Sequence, residues 1–575
     1  MKTLFSEKAD RVHALLPILG VALMAAAFPA RTVGNSDTST ETSRQQVVFT
    51  SSNLPIVVID TQGQRVPDEP KITADMGIIY NGPGVRNNIT DSFNHYNGKI
   101  GIEIRGSSSQ MFPKKQYAME TRDTQGNDLK VSLLGFPEES DWVLYAPYTD
   151  KTLMRNVLAY KLMNDLGRYA SRTHFCEVVL NGEYCGVYVL MEKIKRDKNR
   201  VNITKLEPND ISGDAVTGGY IIKIDKREGA NTQGWYSQFL PYPGAWQKIY
   251  YQYDYPKQDE IVPQQKTYIQ NYIYNFENLM ASPDYADPQR GYAQYLDVAS
   301  CIDVFILNEI SRNVDGYRLS AFMHKDRDSK NGKLVMGPIW DYDLAFGNAN
   351  YYDAEKIAGW QIDFRHGSDS FAIPFWWPKL AQDSSFVKRL KSRWRELRQS
   401  VLDVPRIHAY IDSMAQYLDE AQKRNFEKWP VLGTYVWPNP YIGNSYLDEL
   451  NYLKTWVNLR ILWMDASLME QPSRIADHHG QTPGSCRLEQ NYPNPYGRLP
   501  FNPTTTIAFH LPHAGRVSLK IIDISGNEVA TLVQREMNAG KHEIVFDATA
   551  MASGVYFYRL EAGNFTAQKK LLVVR

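Results

Sequence analysis

At 575 residues the chain is long enough for two or three domains and a large buried core. Its 64 lysines and arginines balance 64 aspartates and glutamates, which argues against a nucleic-acid partner, since such binders carry a basic excess or stripe. The four cysteines, Cys176, Cys185, Cys301 and Cys486, match no zinc spacing and are too few for a disulfide scaffold.

Lys2, Lys8 and Arg11 precede an apolar run from Ala14 to Phe28, with small residues at Ala25, Ala27 and Ala30. Residues 1–30 are therefore expected to be a signal peptide, followed by a Ser/Thr-rich linker over 31–46. No later segment supplies about 18 uninterrupted apolar residues, so no membrane span is expected in the mature chain. Val47–Phe49, Ile56–Ile59, Ile100–Ser109 and Gln116–Glu120 read as strands. Asp150 is expected to cap a helix with Met154, Leu158, Leu162 and Leu166 at every fourth position, stopped by Gly167.

Asn181-Gly182 reads as the two-residue turn of a hairpin. An unbroken register sets Cys185 opposite Val178 and Cys176 opposite Val187. The two thiols then lie diagonally on one face and are expected to stay unbridged. Gly219–Ile224 reads as a further strand, and beyond Tyr268 the pattern turns helical, as in Tyr292–Glu309 and Phe386–Leu402. Strands early and helices late make residues 47–470 an α+β unit. Residues 471–486 read as a second linker, rich in Pro, Ser, His, Gly and Gln. Residues 487–575 hold short strands punctuated by Gly515, Gly526, Gly540 and Gly554, the pattern of a small all-β sandwich.

That tail closely resembles the type A sorting domain of the type IX secretion system. The matching residues are Asn491-Tyr492-Pro493-Asn494-Pro495, Phe501-Asn502-Pro503-Thr504-Thr505-Thr506-Ile507, Gly554-Val555-Tyr556-Phe557-Tyr558-Arg559-Leu560 and the basic end from Lys569 to Arg575. The insert Tyr496–Pro500 splits a usually continuous run and implies a longer loop. The resemblance implies the type IX machinery as a partner and export to the outer surface of a Gram-negative cell or beyond.

The chemistry sits in two acidic motifs, Asn313-Val314-Asp315-Gly316 and Trp340-Asp341-Tyr342-Asp343. Phosphoryl transfer needs one carboxylate to orient or deprotonate the attacking hydroxyl and another to hold the metal on the phosphates. Asp343, two residues past Asp341, shares its face on an extended segment and is a second metal candidate. Ser320 stands where this logic places an asparagine for a second metal. Arg105, Ser107 and Ser108 around the permissive Gly106, together with Lys115, are candidate phosphate contacts. Lys115 is preferred to Lys114 because it alternates with Tyr117 and Met119. Glu192 is a candidate nucleotide contact or lysine anchor. The segment Asp326–Gly332 fails the spacing of a calcium loop and reads as a hairpin turn at Asn331-Gly332. The aromatics from Trp235 to Tyr255 read as core before they read as a sugar- or peptide-stacking platform. No HExxH, GxSxG or Walker A pattern occurs.

From about Leu54 to Leu468 the chain resembles the spore-coat protein H (CotH) kinase-like family. The blocks that carry this are Ile104–Ser108, Phe112–Tyr117, Lys151–Asn156, Leu180–Tyr188, Asn313–Gly316 and Trp340–Asp343, in that order. The resemblance implies an atypical protein-kinase-like fold using ATP with Mg²⁺ or Mn²⁺. It makes Asp315 the catalytic-loop aspartate and Asp341 the metal-binding acid. The function this implies is transfer of the ATP γ-phosphate to Ser or Thr of a secreted or surface protein. The rival reading is a catalytically degenerate surface protein acting in adhesion or coat assembly.

Overall fold

The computed structural model describes residues 47–227, 232–468, 486–491, 496–497, 504–523, 526–547, 551–552 and 554–574. The expected signal peptide and first linker lie outside the described residues, as does the second linker apart from Cys486. The chain divides into two compact units between residues 471 and 472. Its first unit mixes helices and sheets, and its second is all-β. Among the described residues no helix is long and apolar enough to cross a membrane.

The first unit opens with a closed barrel. Its strands run in the order Ile56–Asp60, Ile72–Ile79, Tyr96–Arg105, Gln116–Arg122, Asp141–Tyr145, Glu183–Glu192 and Thr173–Leu180. The last strand closes onto the first in parallel, Val57 facing Val178, while the other pairings are antiparallel. Period-two alternation fills the interior: Ile100 and Ile102, Tyr117 and Met119, Trp142 and Leu144, Cys176 and Val178, Tyr188 and Leu190 share one core. Residues of opposite parity, such as Arg105 and Gln116, are left for the outer surface.

The Asn181-Gly182 hairpin forms as expected, with both residues at positive φ. Its register does not run unbroken. A bulge follows Tyr184, so Val178 faces Gly186 and Cys176 faces Tyr188, and Cys185 is the unpaired extra residue. Gly186 sits there at φ +99, where a Cβ would meet the Asn425 amide oxygen at 2.7 Å. Both cysteines are free thiols.

A second, antiparallel sheet orders its strands Gly234–Tyr236, Tyr250–Tyr255, Tyr220–Ile224, Ala321–Lys325 and Leu334–Met336. The last two form a hairpin whose loop spans 326–333, longer than a two-residue turn at Asn331-Gly332. Behind it lies the helix Val298–Ser311, started by Asp297, whose carboxylate accepts the Ser300 N–H at 2.7 Å. Nearly every residue of this helix is buried, and Arg312 ends it in the left-handed region.

The first-unit helix begins at Arg155, later than the expected Asp150. Asp150 instead sits one turn ahead, accepting the Arg155 N–H at 2.7 Å and pairing with its guanidinium at 2.6 Å, both groups sealed from solvent. In the tail, two sheets bury one shared core: Ile507, Phe509 and Phe546 come from one, Leu519, Tyr558 and Leu571 from the other. Of the tail's motif residues, Tyr492–Pro495 and Phe501–Pro503 lie outside the described residues.

Candidate active site

One open cleft in the first unit, about 1200 Å³ counting the solvent at its mouth, brings most of the chemistry-bearing residues together. Arg105, Ser107, Ser108, Asp315, Ser320, Asp341 and Asp343 all line it.

The phosphate-candidate segment follows the end of the Tyr96–Arg105 strand. Gly106 turns the chain at φ +97, and a Cβ there would come within 2.1 Å of the Ser109 hydroxyl. The next two residues, Ser107 and Ser108, are exposed to the cleft. Gln110 ties the turn down, its side-chain amide donating to Gly106 O at 2.6 Å and to Asp68 at 2.7 Å. The Arg105 guanidinium lies 5.3 Å above the Trp340 ring, so it reaches across to the segment that carries Asp341.

Asp315 stands in the loop that leaves the buried helix. Gly316 N and Asn313 O bond at 2.9 Å, and Leu319 N donates to Asp315 O at 3.0 Å, which makes the loop a compact helical turn. The Arg318 guanidinium donates to Asp315 Oδ1 at 2.9 Å. Tyr317, Ser320 and Asp341 all hold positive φ, at 70°, 47° and 66°. Side chains there are strained by about 1–2 kcal/mol each, and such strain collects at functional sites.

The Asp341 segment is braced from the Arg155–Asp165 helix. Asp341 N donates to the Tyr160 hydroxyl at 3.2 Å, and Tyr342 N donates to Asn156 Oδ1 at 2.6 Å. From the other side Tyr342 OH donates to Asn308 Oδ1 at 2.6 Å, joining the segment to the buried helix. Asn348 donates to Asp343 O at 2.8 Å.

The acids repel one another. Enclosure by the cleft walls pushes Asp341 up to about 6, with the Asp315 charge adding and Arg105 opposing. As a residue Asp341 stays exposed at the open side of the cleft. Asp343 is raised well above the usual range, first by loss of water and then by Asp341, Asp150 and Asp315. Asp315 is raised by loss of water, against the pull of Arg318 and Lys226. A divalent cation beside Asp341 and Asp343 would relieve this repulsion, so the donor set fits one. Among the described residues no three His, Cys, Asp or Glu side chains gather closely enough to hold an ion alone. Mg²⁺ at a nucleotide asks for less: one or two carboxylates, the rest phosphates and waters.

Two sequence candidates lie outside the cleft lining. Lys115 precedes its strand and donates to Gln110 O at 2.5 Å. Its alternation partners Tyr117 and Met119 point into the barrel, and the neighbour that lines the cleft is Gln116. Lys114 is buried, donating to Val187 O at 2.6 Å and to Asn425 Oδ1 at 2.8 Å. Glu192 is sealed from solvent and anchors arginines, not a lysine: Arg172 at 2.8 Å and Arg200 at 3.6 Å, with the Tyr169 hydroxyl at 3.1 Å.

The cations that do line the cleft are Arg105 and three lysines missed from sequence, Lys193, Lys223 and Lys226. Lys223 lies 3.8 Å from both Asp225 and Asp254. A lysine inside the apolar strand Tyr220-Ile221-Ile222-Lys223-Ile224 was the available signal. Of the aromatic stretch, Trp235 is core, stacked on Tyr251 at 5.4 Å, whereas Trp246 is 61% exposed.

The family described as CotH kinase protein matches residues 102–464, a span that contains every residue lining this cleft. The chain belongs to the CotH family. The secretion system C-terminal sorting domain matches residues 490–574. A CotH domain with this tail implies handling by type IX secretion machinery and a place outside the cell or on its surface. No curated protein matches the chain.

Proposed function

We propose that the cleft binds ATP with Mg²⁺ or Mn²⁺ and transfers its γ-phosphoryl group to a Ser or Thr hydroxyl of a secreted or surface protein, on an atypical protein-kinase-like fold. The observation that carries this is the convergence of Asp315, Asp341, Asp343 and the Arg105–Ser108 segment on one cleft. Asp341 and Asp343, with Ser320 as a neutral oxygen, would hold the metal, which would offset phosphate charge. Arg105, Lys193 and Lys223 would pair with phosphate oxygens, and the Ser107 and Ser108 hydroxyls would donate to them. Asp315 would orient the acceptor hydroxyl and take its proton. As the new O–P bond forms, the bond to the β–γ bridging oxygen breaks and ADP leaves.

Incubation of the full chain with labelled ATP and Mg²⁺ or Mn²⁺ tests this. Phosphate should enter the chain or a surface-protein extract, and Asp315→Ala and Asp341→Ala should abolish it. No incorporation by the wild type, beyond that of Asp315→Ala, rejects the reading.

The Arg318 pair on Asp315 and the serine at position 320 favour a second reading, a surface protein that uses the fold for adhesion or coat assembly without turnover. Calorimetry separates the two, since that protein would show no metal-dependent ATP affinity sensitive to Asp341→Ala.

A further inference from the structure

Arg318 is almost completely buried, yet it is spent on one task. Its Nη2 donates to Asp315 Oδ1 at 2.9 Å, its Nη1 to Asp369 Oδ2 at 2.9 Å, and its Nε to Val314 O at 3.0 Å. The Phe364 ring lies 4.5 Å from the guanidinium carbon and fixes its plane. The Asp315 side chain keeps 23% of its surface open, and among the described residues no side chain hydrogen-bonds its Oδ2. One oxygen is clamped, and the residue lines the cleft.

Asp369 is itself held. Its Oδ1 accepts the Phe371 N–H at 2.7 Å. Its backbone carbonyl accepts from the buried Gln247 amide at 2.9 Å, and that amide also donates to His366 O at 3.1 Å. Trp246 Nε1 adds a bond to Gly367 O at 2.7 Å. The 366–369 segment is otherwise mostly exposed, so the bonds from the Trp246-Gln247 pair, together with the Tyr352 hydroxyl on the Asp369 carboxylate, help hold Asp369 in place.

We propose that Asp369, held by Gln247 and acting through Arg318, is the positioning residue that aims the free oxygen of Asp315 at the acceptor hydroxyl. The proposal rests on the reading of Asp315 as the transfer-site acid. A lone Arg318 could swing about its side-chain torsions, whereas a guanidinium bonded at both ends and stacked on a ring has one orientation. Reacting groups misplaced by about 1 Å lose on the order of 100-fold in rate, so loosening one end of this clamp falls on the chemical step and leaves nucleotide binding alone.

The test uses the full chain with Asp369→Ala, Asp369→Asn and Gln247→Leu. With labelled ATP, Asp369→Ala should lower kcat on the order of tenfold or more, with KM for ATP and the calorimetric ATP affinity within about twofold of wild type. Asp369→Asn keeps an acceptor for Arg318 and should recover part of the loss. Gln247→Leu should change kcat in the same direction. An unchanged kcat in Asp369→Ala overturns the proposal, as does a parallel fall in kcat, ATP affinity and melting temperature. If the wild type transfers no phosphate, the kinase reading has failed. The clamp is then read from backbone amide exchange over residues 313–320. Faster exchange there in Asp369→Ala, with 220–224 unchanged, supports it, and equal exchange overturns it.

Discussion

Glu277 gives the first unit a pH-dependent weakness whose size follows from its surroundings. It lies on the helix Pro263–Ala281, fully buried, and its Oε1 accepts from the Ser237 hydroxyl at 2.8 Å and from the Tyr251 hydroxyl at 2.9 Å. Its Oε2 is buried with no partner. Loss of water pushes this carboxyl from 4.5 up to about 7, against those two hydrogen bonds and the Gln238 backbone N–H.

The folded state therefore keeps its proton where the unfolded chain has lost it. Stability is full below about 4.5, falls as pH rises toward 7, and then levels off, because the unfolded state binds fewer protons over that window. The lost increment is about 3 kcal/mol, since each tenfold gain in proton affinity is worth about 1.4 kcal/mol. Glu277→Gln stays neutral throughout. Its amide nitrogen in place of Oε2 adds a constant offset, so the slope is the signature. Urea unfolding at pH 5, 6, 7 and 8 followed by tryptophan emission reads this unit alone, since all 12 tryptophans lie between Trp142 and Trp463. The variant should gain on wild type by about 2.5 kcal/mol between pH 5 and 8. A stability difference that does not change with pH refutes the assignment of a protonated Glu277.

Gly106→Ala should destabilise the first unit by about 1–2 kcal/mol or more and weaken ATP affinity in calorimetry, because φ +97 is strained for alanine and its Cβ meets Ser109. Arg155→Met leaves Asp150 buried without its cation and should cost about 3–5 kcal/mol in urea unfolding, where a surface pair would cost under about 1 kcal/mol. Burial pushes the Cys176 thiol up to about 12 and Cys185 to about 11. Both should resist iodoacetamide at pH 8 in the native chain and react once it is denatured, as mass spectrometry would show.

The sequence by itself determined the features that depend on neighbours along the chain. Asn181-Gly182 forms its turn because both residues tolerate positive φ. The barrel strands alternate because period two needs only one buried face. Asp315 and Asp341 could be read from local motifs, and so could the tail. Tertiary structure decided what parity alone cannot: which face of a strand meets a core and which a cleft. Lys115 alternates with barrel-interior residues, so the side that looked functional is the inside of the barrel, while Lys223 reaches the cleft from an otherwise apolar strand of a second sheet. The bulge at Cys185 depends on Asn425 and Trp429, brought against Gly186 from a distant helix. The Arg318 clamp ties Asp315, its neighbour in the same loop, to Asp369, 51 residues beyond Arg318, which only folding brings within hydrogen-bond reach. Local propensity acts through a few adjacent torsions, whereas a cleft is the shared boundary of surfaces that meet only after the chain has packed.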